Sequence, residues 1–326
     1  MHLQIRRKHV LLILLIVLVF PLILSLVFIA RILFVGHTVL PVRKVPRTVV
    51  SMSSFSQRVF HMRECLDSVF AQSQTADRVI ITIPKTFRKT EKTACWFFDK
   101  HCSDDMHVQH HNESVGDMLL WFSEYTGSPY VAQTQNSSLY EIGALTVHFV
   151  DTDWGPATKL IGALLLETDP DTIIITVDDD VVYHNDTVKF LTTHLQENMA
   201  LSFGCEVWSV GGLEFIPFGG MSNVFDYTVT PRFCVGWLYG WTGAAYHVSS
   251  FGDDVWTFLS SLPVGCLYND DIWLSGYLTN RGVQKVYVPN ELIHPKHTRD
   301  KTFSLSTIVD SHLKYKHVCA QAMFPV

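Results

Sequence analysis

The pattern of apolar and polar positions predicts that this chain folds as an α/β domain from residue 48 onward. Thr48–Met52 begins a strand that is rich in β-branched, apolar residues. Apolar residues then recur at helical spacing over Arg58–Gln72, and Arg78–Pro84 is a second apolar run. A strand, a helix and a strand in this order favour a parallel sheet with helices on its faces.

The same reading extends along the rest of the chain. Further strands are predicted at Leu145–Val150, Thr172–Val177 and Val283–Val288. A helix is expected from Pro156 to Glu167, because proline is favoured in the first helical turn. Two more helices are predicted after Asp186 and Asn269, whose side chains are expected to cap them. From Leu201 onward short strands, glycines and aromatic residues dominate, which indicates a substrate-binding half built on loops.

Three consecutive carboxylates, Asp178, Asp179 and Asp180, follow the most apolar of these strands. Alternate side chains of an extended segment point the same way, so Asp178 and Asp180 can face one site while Asp179 faces elsewhere. Crowded carboxylates repel one another and need a cation, a proton or solvent at neutral pH. The position therefore favours a hard divalent ion at the carboxyl end of a buried strand, and the alternative is a solvated acidic turn.

The N-terminal part of the chain has a different character from the α/β domain. The run Val10–Ala30 carries no charge and is long enough to span a bilayer as a helix, and the basic residues Arg6–Lys8 precede it. We predict a cytosolic tail at 1–9, a transmembrane signal anchor at 10–35 and a stem at 36–47. Three N-x-S/T sequons favour a glycosylated, lumenal domain of a single-pass type II protein in the Golgi or another secretory membrane. The sequons begin at Asn112, Asn136 and Asn185.

Composition excludes one class of partner and limits the disulfides. The formal net charge is −6 and no basic block occurs beyond the N-terminus, so nothing predicts a nucleic-acid interface. The seven cysteines are an odd number, so they cannot all pair within the chain. Cys95 and Cys102 are close enough in sequence to close a small loop.

Four stretches of the chain carry a likeness to a known family. They are VIITIP at the end of Val49–Pro84, WGPATKL at Trp154–Leu160, TVDDDV at Thr176–Val181, and GWTGAAY followed by NDDIWLSGYL. In this order they resemble the GT-A fold glycosyltransferases, which use nucleotide sugars, and most closely the family 2-like group; TVDDDV resembles the DxD motif. The resemblance implies a Rossmann-like, mostly parallel sheet flanked by helices over 48–326. It implies a nucleotide-sugar-binding half at 48–200 and an acceptor-binding half at 201–326.

The resemblance also implies roles for individual residues. The donor would be a nucleoside diphosphate sugar, and the acceptor a hydroxyl of a glycan or glycoconjugate. Mn²⁺ or Mg²⁺ is expected on Asp178 and Asp180, with His294 or His297 as a further ligand, and one imidazole among oxygens suits Mn²⁺ better than Ca²⁺. Donor contacts are expected from Ser51, Arg58, Lys159, Asp178 and Asp179.

The acidic pair Asp270 and Asp271 is the predicted catalytic group. The register of the following residues, IWLS, matches Asp271 to the family's general base, which would take the proton from the acceptor hydroxyl and invert the anomeric centre. Trp237, Tyr239 and Trp241 could stack on a sugar or belong to the core.

Two other functions fit parts of the same sequence. Asp178–Val182 also matches the D-x-D-x-V motif of haloacid dehalogenase-type phosphatases, in which Asp178 would be the nucleophile. That motif usually lies on the first strand of its domain, whereas several predicted strands precede it here. The other alternative is a catalytically silent lumenal binding protein with the same fold.

Overall fold

The computed structural model describes residues 45–90, 93–96, 115–128, 131–133, 138–208, 215–218, 231–288, 295–298 and 312–324. The predicted anchor, the sequons at Asn112 and Asn136, Cys102 and His294 lie outside these residues. Within the described ranges, no helix has the length and apolar character needed to cross a bilayer.

The strands and helices follow one another along the whole described chain. The strands are β1 (Thr48–Ser53), β2 (Arg78–Pro84), β3 (Thr86–Thr90), β4 (Thr93–Trp96), β5 (Ala132–Gln133), β6 (Leu139–Ile142), β7 (Leu145–Val150), β8 (Ile173–Thr176), β9 (Val181–Val182), β10 (Met199–Ser202), β11 (Cys205–Trp208), β12 (Phe215–Phe218), β13 (Arg232–Phe233), β14 (Trp237–Leu238), β15 (Ala244–His247), β16 (Gln284–Tyr287) and β17 (Lys296–His297). The α-helices are α1 (Ser56–Val59), α2 (Arg63–Phe70), α3 (Val115–Thr126), α4 (Thr158–Leu164), α5 (Thr187–His194), α6 (Asp254–Ser261), α7 (Asp270–Asn280) and α8 (His312–Met323).

A ten-stranded sheet forms the centre of the described chain, in the order β13-β16-β10-β15-β8-β1-β2-β7-β6-β5. The neighbours β8, β1, β2 and β7 are mutually parallel. Of the ten described strands, only β6, β13 and β15 run against the direction of the others. The predicted α/β class with a mostly parallel sheet is thus confirmed. The carboxyl ends of β1, β2, β7 and β8 meet at one edge of the sheet, where open α/β sheets bind ligands.

Helices cover both faces of this sheet. On one face α2, α3 and α5 pack against side chains such as Val50 and Ile81. On the other face α4, α6, α7 and α8 pack against side chains such as Val49 and Ile80. Successive residues of one strand therefore enter different cores, because side chains alternate along a strand. Burial of both faces explains why apolar residues occupy successive positions in β2 and β8.

The helices depart from their predicted forms in two ways. The helix predicted at Arg58–Gln72 is divided into α1 and α2, and the turn between them separates Arg58 from the helix that packs on the sheet. Asp186 and Asn269 precede α5 and α7 as predicted, but neither side chain caps its helix. Instead Asp186 accepts a hydrogen bond from Ser73 Oγ, and the Asn269 amide donates to the Gly265 carbonyl.

Two disulfides lie in the C-terminal half. Cys205 pairs with Cys234, and Cys266 pairs with Cys319. The second bond attaches α8 to the 3₁₀ segment Val264–Tyr268, which immediately precedes α7. Cys65 is buried on α2 and is not in a disulfide.

Candidate active site

A cavity of about 290 Å³ opens at the carboxyl edge of the parallel strands. Six of the side chains predicted from the sequence line it, namely Arg58, Lys159, Asp178, Asp179, Asp180 and His297. Three others, Ser51, Asp270 and Asp271, do not line it. The fold thus brings together residues from α1, from the segment after β8, from α4 and from β17.

The acidic segment after β8 is fixed by its backbone. The Asp178 N–H donates to Tyr183 Oη at 2.8 Å, and the Tyr183 hydroxyl donates to the Trp241 carbonyl at 3.0 Å. The chain turns at Asp179 and Asp180 rather than staying extended, so all three aspartates border the cavity. The prediction that Asp179 faces elsewhere is therefore wrong, although its side chain is the most buried of the three.

Arg58 holds two of these aspartates. Its Nη2 lies 2.5 Å from Asp180 Oδ2, and its Nε lies 3.2 Å from Asp179 Oδ1. Ser54 Oγ donates to Asp179 Oδ2 at 2.6 Å. Burial lowers the pKa of Arg58, but the three aspartates outweigh it and the net pKa is raised, so the guanidinium stays charged. Burial raises the pKa of Asp179 to about 6, in spite of Arg58 beside it.

Lys159 lies between the acidic segment and α7. Its Nζ is 2.6 Å from Asp178 Oδ1 and 2.9 Å from Asp270 Oδ2, and the residue is only 5% exposed. Burial lowers its pKa, but the neighbouring aspartates raise it well above its usual value. The sequence predicts that Lys159 meets a phosphate or base, whereas in the structure both close partners are carboxylates. Ser51, predicted to contact the donor, is fully buried and donates to the Lys159 carbonyl at 2.5 Å.

Asp270 and Asp271 are the first two residues of α7. The Gly240 N–H donates to Asp271 Oδ1 at 2.9 Å. A Cβ on residue 240 would lie 2.6 Å from that oxygen, so only glycine allows this contact. Burial, and then the charge of Asp270, raises the pKa of Asp271 well above its usual value.

His297 reaches the cavity through the short strand β17. It pairs with Val181 of β9, next to Asp180, and its ring stacks on Trp241 at 5.2 Å. Trp241 also lines the cavity, whereas Trp237 is 1% exposed and donates to Glu206 at 3.2 Å. Tyr239 also donates to Glu206, at 3.1 Å, and neither it nor Trp237 lines the cavity.

Several lining residues were not predicted. Ser54 directly follows β1, and Asp153 lies in the loop after β7. Both lie beyond the carboxyl ends of parallel strands, where ligands bind in open α/β sheets. Gly155 has φ +62°, and a Cβ there would lie 2.0 Å from the Leu267 carbonyl oxygen, so the glycine permits close approach of the segment before Tyr268. Tyr268 has no local sequence signal, because its place in the wall depends on this long-range contact.

The charges around the cavity are unequal. Among the described residues that line it are four aspartates and two permanent cations, Arg58 and Lys159. In the part of the chain that the structure describes, no three His, Cys, Asp or Glu side chains form a ready metal-binding group. Asp178 Oδ1 contacts Lys159, and Asp180 Oδ2 contacts Arg58. His297 lines the same cavity, and carboxylate oxygens and an imidazole are ligand types that suit Mn²⁺ or Mg²⁺.

Comparisons with known proteins give only distant likenesses. No protein-family model matches the sequence, and no curated protein matches it either. Among solved structures, TarS 1–349 of S. aureus has a TM-score of 0.42 and 12% identity, covering 86% of this chain and 72% of that chain. A 4-diphosphocytidyl-2C-methyl-D-erythritol synthase from Anaerococcus prevotii has a TM-score of 0.38 and 11% identity, covering 83% and 96%. Both likenesses are too distant to indicate an activity.

Proposed function

We propose that this protein is a glycosyltransferase that moves a sugar from a nucleoside diphosphate sugar to a hydroxyl of a glycan or glycoconjugate. The observation that carries the proposal is the gathering of Arg58, Lys159 and Asp178–Asp180 around one cavity at the carboxyl edge of parallel strands. The acidic pair at the start of α7 stands next to this group, because Asp270 contacts Lys159. Asp178–Asp180 would serve in donor binding, and the pair at the start of α7 would serve in removal of the acceptor proton.

The excess of carboxylates over cations supports a divalent metal ion. A diphosphate brings further negative charge to a cavity that already has more aspartates than permanent cations, so it needs a cation to bind. Asp178 and Asp180 would hold Mn²⁺ or Mg²⁺, with His297 as a further ligand. When bound, the ion would stabilise the charge that develops on the departing diphosphate. Arg58, which contacts Asp179 and Asp180, would bind the phosphates.

Asp271 is the proposed general base. It would accept the proton of the acceptor hydroxyl as that oxygen bonds to the anomeric carbon and the nucleoside diphosphate leaves from the opposite face. A raised pKa makes its carboxylate a stronger proton acceptor than an ordinary aspartate. The configuration at the anomeric carbon would therefore be inverted.

We also propose that the catalytic domain lies in the lumen of the Golgi or another secretory membrane, behind an anchor at 10–35. Cys205–Cys234 and Cys266–Cys319 support an oxidising compartment, because disulfides persist there and are rare in the cytosol.

Incubation of the purified protein with a panel of nucleotide sugars and Mn²⁺ tests the activity. Release of free nucleoside diphosphate together with transfer of sugar to an added glycan is the expected result. Release of inorganic phosphate from phosphomonoesters would indicate the phosphatase instead, and nucleotide binding without turnover would indicate a binding protein.

The variant Asp180→Ala tests whether Asp180 is a ligand of the proposed metal ion. It removes a ligand and leaves the phosphates uncompensated, so turnover is expected to collapse, and Asp180→Asn is expected to be severe as well because a neutral oxygen is a poorer ligand. Chelator is expected to abolish wild-type turnover and Mn²⁺ to restore it. Full wild-type turnover in the presence of chelator would show that the reaction does not require a metal ion.

A further inference from the structure

Lys159 is held by two different parts of the fold. Its backbone carbonyl accepts the hydrogen bond from Ser51 on β1, which fixes α4 against the sheet. Its ammonium contacts Asp178, at the end of β8, and Asp270, at the start of α7. An ammonium has three protons, so it can serve both carboxylates at once.

The two aspartates of α7 have different partners. Asp270 is 8% exposed and is paired with Lys159. Asp271 accepts from the Gly240 backbone and is the more exposed of the two. Loss of one member of a buried ion pair leaves an uncompensated charge, which is strongly unfavourable. The contact with Lys159 thus restrains Asp270 and, through it, the first turn of α7.

We propose that Lys159 is a positioning residue that joins Asp178 to Asp270 and thereby holds Asp271 in place for the acceptor hydroxyl. This inference rests on the proposed function and deepens it, because Lys159 would act through aspartates and not on the donor. A phosphate would have to share this buried ammonium with its two carboxylate partners.

Four variants of the full chain, purified in detergent, separate this role from the alternatives. Lys159→Met removes the charge at similar length, and Lys159→Arg keeps a charge in a planar group that does not fit the same place. The double variant Lys159→Met, Asp270→Asn removes both members of the pair. Lys285→Met is the matched control, since Lys285 is also buried, at 7% exposure, but donates to the Gly236 carbonyl and does not line the cavity.

Both single changes at Lys159 are expected to lower kcat about 100-fold, because small displacements of a catalytic group cost about that much. The dissociation constant for nucleoside diphosphate with Mn²⁺ is expected to stay within about threefold of wild type. The double variant should regain only the part of the lost thermal stability that is due to unpaired Asp270, because Asp178 still lacks its cation, and it should not regain kcat. Lys285→Met should keep a near wild-type kcat.

A second readout does not depend on sugar transfer. The amides of Ile272 and Trp273 bond to the Asn269 carbonyl in the first turn of α7. Their hydrogen exchange is expected to be faster in Lys159→Met than in wild type or Lys285→Met. If Lys159→Met does not fold, the double variant replaces it in both the kinetic and the exchange comparisons.

Three results would overturn the inference. The first is a tenfold weaker nucleotide affinity with kcat preserved, which would make Lys159 a phosphate ligand. The second is recovery of kcat in the double variant, which would show that Lys159 only neutralises the charge of Asp270 and does not position Asp271. The third is unchanged exchange at Ile272 and Trp273. One further outcome separates the two proposals. If the wild type transfers no sugar from any donor, but exchange at Ile272 and Trp273 is still faster in Lys159→Met than in the wild type, the proposed function is refuted and the positioning role is supported.

Discussion

Asp271 combines two properties that a general base requires. Its Oδ1 is oriented by the Gly240 N–H, and its pKa is raised by burial and by the neighbouring charge of Asp270. Asp270, in contrast, is engaged by Lys159. In the proposed mechanism, these different surroundings favour Asp271 for the proton transfer and give Asp270 a supporting role.

Asp271→Asn keeps the size of the side chain but cannot accept the proton. A positioned general base contributes about 10²–10⁴-fold, so kcat is expected to fall by that factor. Donor affinity should change little, and Asp270→Asn should be milder because an amide oxygen can still accept from Lys159. The measurements are kcat for both variants, donor binding, and the anomer of the product by NMR. A near-normal kcat for Asp271→Asn, or retention of configuration, would exclude this assignment.

Lys285 is a buried cation outside the candidate site. Its ammonium donates to the Gly236 carbonyl and lies 4.9 Å from the centre of the Phe324 ring. Burial lowers its pKa from 10.5 to about 8. The residue is neutral in both the folded and unfolded states above pH 10.5, and below pH 8 it is charged in both. Its unfavourable contribution is therefore absent at high pH and is fully present below pH 8.

Lys285→Met removes this titration. As pH falls from about 10.5 to 7, the free energy of unfolding of the wild type is expected to drop by about 3 kcal/mol relative to the variant. Urea denaturation of both proteins at several pH values between these limits measures the difference. A difference that is independent of pH would show that the folded-state pKa is not lowered.

The sequence predicted many of the residues that line the cavity, but not the ion pairs and hydrogen bonds that these residues form. Six predicted residues line the cavity, because acidic and basic side chains at strand ends carry a local signal. Lys159 forms ion pairs with Asp178 and with Asp270, which is far away in the sequence, and no local pattern indicates such a pairing. For the same reason, the burial of Ser51 beneath α4 could not be predicted.

At the level of elements, local periodicity was most successful for the central strands. Arg78–Pro84 and Leu145–Val150 form strands with the predicted bounds, since both are rich in apolar and β-branched residues. The division of the Arg58–Gln72 helix was not predicted, because apolar spacing continues across the turn. The antiparallel insertion of β15 beside β8 was also missed, since strand order depends on long-range packing.

The disulfide Cys266–Cys319 is expected to stabilise the attachment of α8. It closes a loop with a sequence separation of 53 residues, and bonds of this kind typically contribute about 2–4 kcal/mol. Replacement of both cysteines by alanine should lower the free energy of unfolding by that amount. Urea denaturation of the variant beside the wild type, both under non-reducing conditions, measures the change. An unchanged denaturation midpoint would contradict it.

At the level of the whole molecule, the proposed anchor determines where the domain resides. Arg6–Lys8 precede the uncharged run Val10–Ala30 of the proposed anchor, so the C-terminal domain is expected in the lumen. Protease added to intact microsomes should leave an epitope at the C-terminus protected, and detergent should expose it. Digestion of the epitope without detergent would show that the C-terminal domain faces the cytosol.

The position of β15 between β8 and β10 has a consequence for biosynthesis. β8 obtains its second neighbour from a segment that is translated about seventy residues later. Until Ala244–His247 leaves the ribosome, the apolar strand Ile173–Thr176 has an open edge, which is a template for aggregation. A nascent chain that ends near residue 200 is therefore expected to need chaperones, and the segment 48–200, the proposed nucleotide-sugar-binding half, is expected to aggregate when it is produced alone.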